Sequence, residues 1–165
     1  MDESFDDLLV ANRTFADTFA LAGFDGVAHR GVAVVTCMDS RIDPLGMIGL
    51  EPGDAKIFRN PGGRVTDAAL EALVLGVHLL GVERVMVIPH TRCAMASMSE
   101  EDLRQRISVA SGQDATWTSW HVVPDQAAAL RDDVNRVRAH PLVPKQVPVG
   151  GFMYDVDTGA LTQVL

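Results

Sequence analysis

The chain has two cysteines, and the second, Cys93, follows His90 by three residues in Pro-His-Thr-Arg-Cys. An imidazole and a thiolate at this spacing can chelate one metal ion, but two ligands do not complete a site. The other soft ligand is Cys37, which ends the run Gly-Val-Ala-Val-Val-Thr-Cys. Mixed sulfur and nitrogen ligands suit zinc better than calcium or magnesium. Three protein ligands with one exchangeable position make the catalytic arrangement, not the closed structural one. Two thiolates cancel the ion's formal charge, so a water bound there needs help from its surroundings. Asp39, two residues after Cys37, can accept that water's hydrogen bond. Arg41, two further on, can hold the Asp39 carboxylate and keep it off the metal.

Each group also has a plainer reading. Free cysteines are among the most buried residue types, so Cys37 and Cys93 could be core packing, or a redox pair. Asp39 and Arg41 could be a structural ion pair. Gly62 and Gly63, in Arg-Asn-Pro-Gly-Gly, permit a tight turn, and their backbone could also line a substrate pocket.

For Cys37 to meet His90 and Cys93, two strand ends must be neighbours. Residues 31–37 form a short, β-branched apolar run, read as a buried strand; 55–60 and 84–88 read as two more. Between them Thr66 caps a helix carrying Leu70, Leu73, Val74, Val77 and Leu80 at helical spacing, with Gly81 ending it. An irregular stretch rich in Ser, Thr and Trp follows the third strand. Residues 125–139 then form a helix that stops before His140-Pro141. Residues 147–156 and 160–164 read as a hairpin around Asp157-Thr158-Gly159. Residues 3–21 read as an amphipathic helix with Phe5, Leu8, Leu9, Phe15 and Phe19 on its apolar side. The expected class is α/β: a central, mostly parallel sheet flanked by helices, with an N-terminal helical arm. Four strands are parallel, and an antiparallel C-terminal strand forms one edge. In such sheets chemistry gathers beyond the carboxyl ends of the strands, where Cys37 and His90 lie.

Length and composition bound the rest. The 165 residues are read as a single domain, 1–165, with 1–25 as the arm. A net charge of −8, with Arg and Lys scattered among acids, argues against a nucleic-acid partner. No apolar run reaches the ~18 residues of a membrane span. The acidic start MDESFDD does not resemble a signal peptide, so a cytoplasmic location is expected.

Taken together, Cys-Met-Asp-Ser-Arg (37–41), Arg-Asn-Pro-Gly-Gly (59–63) and His-Thr-Arg-Cys (90–93) resemble the β-class carbonic anhydrases. Residues 151–161 resemble that family's closing hairpin. The combination of Cys-x-Asp-x-Arg with His-x-x-Cys is specific; neither half alone would be. The resemblance implies one zinc per chain on Cys37, His90 and Cys93, and an Asp39–Arg41 dyad. It also implies reversible hydration of carbon dioxide to bicarbonate, and a homodimer, with further pairing open, that completes each site from the partner chain. Related proteins hydrolyse carbonyl sulfide or carbon disulfide, and a non-catalytic zinc-binding homologue would keep the same ligands. The intact Asp39-Ser40-Arg41 segment leads to the expectation that Asp39 stays paired with Arg41 and off the metal.

Four positions depart from the family pattern. The family usually has His-Thr-Asp-Cys-Gly where this chain has Arg92 and Ala94, and Pro89 and Pro61 also differ from the common pattern. Ala94 implies a negative φ there or a shifted loop, because alanine is strained at positive φ. Arg92 is a candidate for tuning the site: a cation there favours anions, or competes with Arg41 for Asp39. Its plainer reading is a side chain in solvent, or paired with an acid such as Glu100.

Overall fold

The structure, a computed structural model, describes residues 3–165; Met1 and Asp2, the first residues of the expected arm, lie outside it. Its strands are β1 Val32–Cys37, β2 Ala55–Asn60, β3 Arg84–Ile88, β4 Val149–Tyr154 and β5 Leu161–Gln163. Its helices are α1 Asp6–Ala16, α2 Asp67–Leu79, α3 Glu100–Ser111 and α4 Gln126–Ala139. The strands form one sheet in the order β2-β1-β3-β4-β5. β1 pairs in parallel with both β2 and β3, and β3 in parallel with β4. Only β5 is antiparallel, against β4. The expected class is therefore the observed one, and β1 and β3 are the neighbours the chemistry required.

The β-branched runs make sense once both faces of the sheet are covered. In β1, Ala33 and Val35 face one core while Val32 and Val34 face the other; in β3, Val85 and Val87 divide in the same way from Met86 and Ile88. The first core is closed by Leu70 and Leu73 of α2 and by Leu130, Val134 and Val137 of α4. Each such side chain contributes roughly 1.5–3 kcal/mol by leaving water. Thr66 caps α2 by accepting from the Ala69 N–H at 3.3 Å. Gly81 follows the helix with φ 70°, a conformation that costs glycine little.

Two elements differ from the sequence reading. α1 stops at Ala16, not residue 21, because the Thr18 and Phe19 N–H groups close tight turns on Phe15 and Ala16, 3.2 and 3.3 Å away. The stretch read as irregular contains α3. Ser99 and Asp102 form a reciprocal capping box, in which the Asp102 N–H donates to Ser99 Oγ at 3.0 Å and the Ser99 N–H to Asp102 Oδ2 at 3.2 Å. Gly112, with φ 67°, ends the helix. No residue of α3 is fully buried, so the apolar periodicity that marks a helix is faint there. Among the described residues, no helix is long and apolar enough to cross a membrane.

Candidate metal centre

Cys37 closes β1, and His90 lies two residues beyond β3, bridged to Tyr154 on the β4 side. A short loop returns Cys93 to the same crevice. All three side chains are buried, and one ligand atom from each lies within 4.8 Å of the others. His90 Nδ1 lies 2.8 Å from the Thr91 carbonyl, which can only accept, so Nδ1 carries the proton. Nε2 then bears a lone pair, and among the described residues it is buried without a hydrogen-bond partner. A buried acceptor left in this state costs about 1–3 kcal/mol unless something binds it.

The two thiols are shifted in opposite directions. The neighbouring Cys93 does most to pull the Cys37 thiol down; burial opposes this, and the N–H groups of Asp39 and Gly62 reinforce it. The proximity of Cys37, with burial, pushes Cys93 up. Two buried sulfurs beside an unpartnered imidazole nitrogen form a donor set that fits zinc.

Asp39 sits at the edge of this cluster, with Oδ2 3.8 Å from His90 Nε2. Arg41 grips it three times: backbone N–H to Oδ1 at 2.9 Å, Nε to Oδ1 at 2.9 Å, and Nη2 to Oδ2 at 2.7 Å. The Arg41 side chain, helped by its backbone N–H, holds the Asp39 carboxyl well below the usual carboxylate range. Arg41 Nη2 also donates to the Arg92 carbonyl at 3.3 Å.

That last contact shows how Arg92 meets the site. Its φ is 53°, and its side chain turns outward to Asp157, 3.0 Å away. Glu100 is engaged elsewhere, with Arg104 and the Trp120 N–H. The exposed Arg92–Asp157 pair is worth less than about 1 kcal/mol. What Arg92 offers Arg41 is its backbone carbonyl, not its charge. Ala94 keeps a negative φ at the start of a short 3-10 turn, in accord with the expectation.

Arg59 is a supporting residue that the sequence reading passed over, although it stands inside a quoted motif. Its Nε donates to the Cys37 carbonyl at 2.8 Å and its Nη2 to the Asp39 carbonyl at 2.6 Å, fixing both ends of Cys37-Met38-Asp39. Gln126, whose amide reaches the His90 carbonyl at 2.9 Å, left no local signal at all.

Gly62 and Gly63 are both buried with positive φ. Asn60 clamps their turn by accepting from the Arg64 N–H and donating to the Arg64 carbonyl, each at 2.7 Å. A Cβ on Gly63 would lie 2.9 Å from the Cys37 backbone nitrogen and 3.0 Å from the Thr36 carbonyl carbon. Backbone cannot yield as a flexible side chain can. Gly63→Ala is therefore expected to destabilise the fold by roughly 2–4 kcal/mol, from left-handed strain plus overpacking. Gly62→Ala meets only the end of Val123, at 3.3 Å, and should cost less. Chemical denaturation of the two variants checks the ranking; equal losses would remove the close approach as its cause.

Sheet order, ligand cluster and dyad together define a known class. Residues 32–161 match the carbonic anhydrase family, and the chain belongs to it, on the β-class side. It is 32% identical over 163 residues to β-carbonic anhydrase 1 of Mycobacterium tuberculosis, with 96% of each chain covered. Carbonic anhydrase from Streptococcus mutans superimposes with a TM-score of 0.89 at 33% identity, covering 100% of this chain and 99% of that one. A carbon disulfide hydrolase of Acidithiobacillus thiooxidans is 30% identical over 155 residues, covering 81% of this chain and 76% of its own.

Proposed function

We propose that the chain holds one zinc ion through Cys37 Sγ, His90 Nε2 and Cys93 Sγ and catalyses the reversible hydration of carbon dioxide to bicarbonate and a proton. The observation that carries this reading is the buried, unpartnered His90 Nε2 within 4.8 Å of the Cys37 and Cys93 sulfurs. In carbonic anhydrases zinc supplies the Lewis acidity that brings a water's pKa to about 7.

The remaining work falls to the chain. Asp39 stays anionic, so it can accept a hydrogen bond but not donate one. Arg41 fills Oδ1 twice and Oδ2 once, and the free capacity of Oδ2 lies on the His90 side. A hydrogen bond given to Asp39 by the attacking oxygen turns that oxygen's lone pair toward the carbon of CO2. Arg41 keeps the carboxylate in place and off the ligand set. Arg92 acts on the dyad through its carbonyl. Gly62 and Gly63 put backbone, not side chains, in the pocket wall, which suits a small uncharged substrate.

Residues 1–165 serve as one catalytic domain with 1–25 as its arm. The free thiols of Cys37 and Cys93 fit a reducing cytoplasm. The working unit is a homodimer. α1 has 11 residues, too few to be stable alone, and none of them is buried on its own chain. Leu8, Leu9 and Phe15 along it, and Phe5 just before it, are all more than half exposed. A second copy offers a cover: an apolar groove floored by Ile48, Leu50, Met86 and Phe152 and edged by Arg30 and Arg84, which complement Asp6 and Asp7 of α1. Leu8→Asp/Leu9→Asp is expected to sediment as a monomer where the parent sediments as a dimer; a dimer in both would remove α1 from the contact.

Zinc analysis combined with stopped-flow CO2 hydration tests the reading. About one zinc per chain with rapid hydration is expected. Zinc with hydrolysis of carbon disulfide or carbonyl sulfide but no CO2 hydration would transfer the site to that chemistry. Zinc with neither activity would make the chain a binding homologue.

A further inference from the structure

We infer that Gln126 is a positioning residue for His90, fixing the peptide unit from which the imidazole and its orienting carbonyl both project. The inference rests on the assignment of Cys37, His90 and Cys93 as zinc ligands. The peptide unit between His90 and Thr91 is held at both edges. Its N–H, on Thr91, donates to the Tyr154 carbonyl at 2.9 Å, on the β4 side. The Tyr154 N–H in turn reaches the Pro89 carbonyl at 3.0 Å. In a parallel ladder those two bonds turn the His90 carbonyl the other way, toward β1. Pairing of β3 with β1 has already ended at Thr36 and Ile88, so the ladder supplies no donor there. Gln126 Nε2 supplies it, at 2.9 Å.

This matters because the next bonds in the chain carry the ligand geometry. His90 Nδ1 donates to the Thr91 carbonyl at 2.8 Å, and that bond leaves the Nε2 lone pair facing the sulfurs. The Thr91 carbonyl leads directly into Arg92, which has a left-handed backbone, φ 53°. A peptide plane pinned only at Tyr154 could rock about that single bond, and the ring with it. Gln126 provides the second anchor from a rigid element. It is the first residue of α4, whose start is capped by Asp125 Oδ1 accepting from the Ala128 N–H at 2.9 Å. The helix is seated by Leu130, Val134 and Val137. The residue type follows from the partner: a carbonyl needs a donor, which an amide provides and an ionised carboxylate does not.

Three variants test this by zinc affinity, read in competition with a chromophoric chelator. Gln126→Met keeps the length and loses the donor; zinc binding about tenfold weaker is expected, the scale of an outer-shell partner. Gln126→Lys restores a donor at similar reach and should recover most of the loss, which a merely space-filling role would not predict. The cobalt-loaded parent and Gln126→Lys should share a visible spectrum from which Gln126→Met departs. If Gln126→Met does not fold, Gln126→Asn carries the test: its amide falls one methylene short and should also weaken zinc about tenfold. Parent-like affinity in the donor-lacking variant, or equal losses in Gln126→Met and Gln126→Lys, would overturn the inference. A parent that takes up no zinc would defeat the metal-centre reading itself, a result distinct from either.

Discussion

Cys93→Ser is expected to leave the chain folded but nearly free of zinc. In the proposed site zinc would be held by soft sulfur and one imidazole nitrogen, and a serine hydroxyl does not ionise near neutral pH. Loss of an outer-shell partner already costs about 10–100-fold in metal affinity, so loss of a ligand should exceed 100-fold. Carbon dioxide hydration should fall with occupancy. The fold should survive because serine is smaller than cysteine and fits the same buried position, where its hydroxyl can still donate toward Cys37. Elemental analysis and a chelator titration measure the effect, with thermal unfolding as the control for folding. Full zinc occupancy in Cys93→Ser would take Cys93 out of the ligand set.

What could be read from the sequence, and what could not, follows from the range of the interactions. β1 and β3 were visible because strands buried on both faces must be continuously apolar. α2 and α4 were visible because each has a capping residue and a regular apolar face. α3 was missed because it buries little, leaving only the Ser99–Asp102 cap to announce it. The meeting of Cys37, His90 and Cys93 and the pairing of Asp39 with Arg41 were legible because chelation and ion pairing require particular residue types at close spacing. The role of Arg92 was not, since it depends on φ and on which way a carbonyl points. Gln126 lies 36 residues from His90, joined to it by one side-chain bond that no local pattern records. The length of α1 was overestimated for a related reason: its apolar spacing continues to Phe19, but its backbone turns at Thr18.

Asp39→Asn is expected to keep zinc and lose hydration activity by about 10²–10³-fold, the scale of removing one preorganised transition-state hydrogen bond. The geometry makes the loss specific. Oδ1 of Asp39 accepts from two Arg41 donors, the backbone N–H and Nε, whereas Oδ2 accepts only from Nη2. An asparagine therefore places its oxygen at the Oδ1 position and its NH2 at the Oδ2 position. That NH2 faces Arg41 Nη2 as donor against donor, and on the His90 side it offers a donor where the attacking oxygen needs an acceptor. The opposite flip is worse, since it sets two Arg41 donors against the NH2. Neither orientation removes a ligand atom from Cys37, His90 or Cys93, so zinc content should match the parent. Because the Arg41 side chain is also held by the Arg92 carbonyl at 3.3 Å, it should loosen without leaving the site. Stopped-flow hydration on protein of measured zinc content reads the result. Parent-like rates would reduce Asp39 and Arg41 to a structural ion pair. Slow turnover with zinc lost as well would show that the dyad holds the ligand loop in place and does not act on the substrate side.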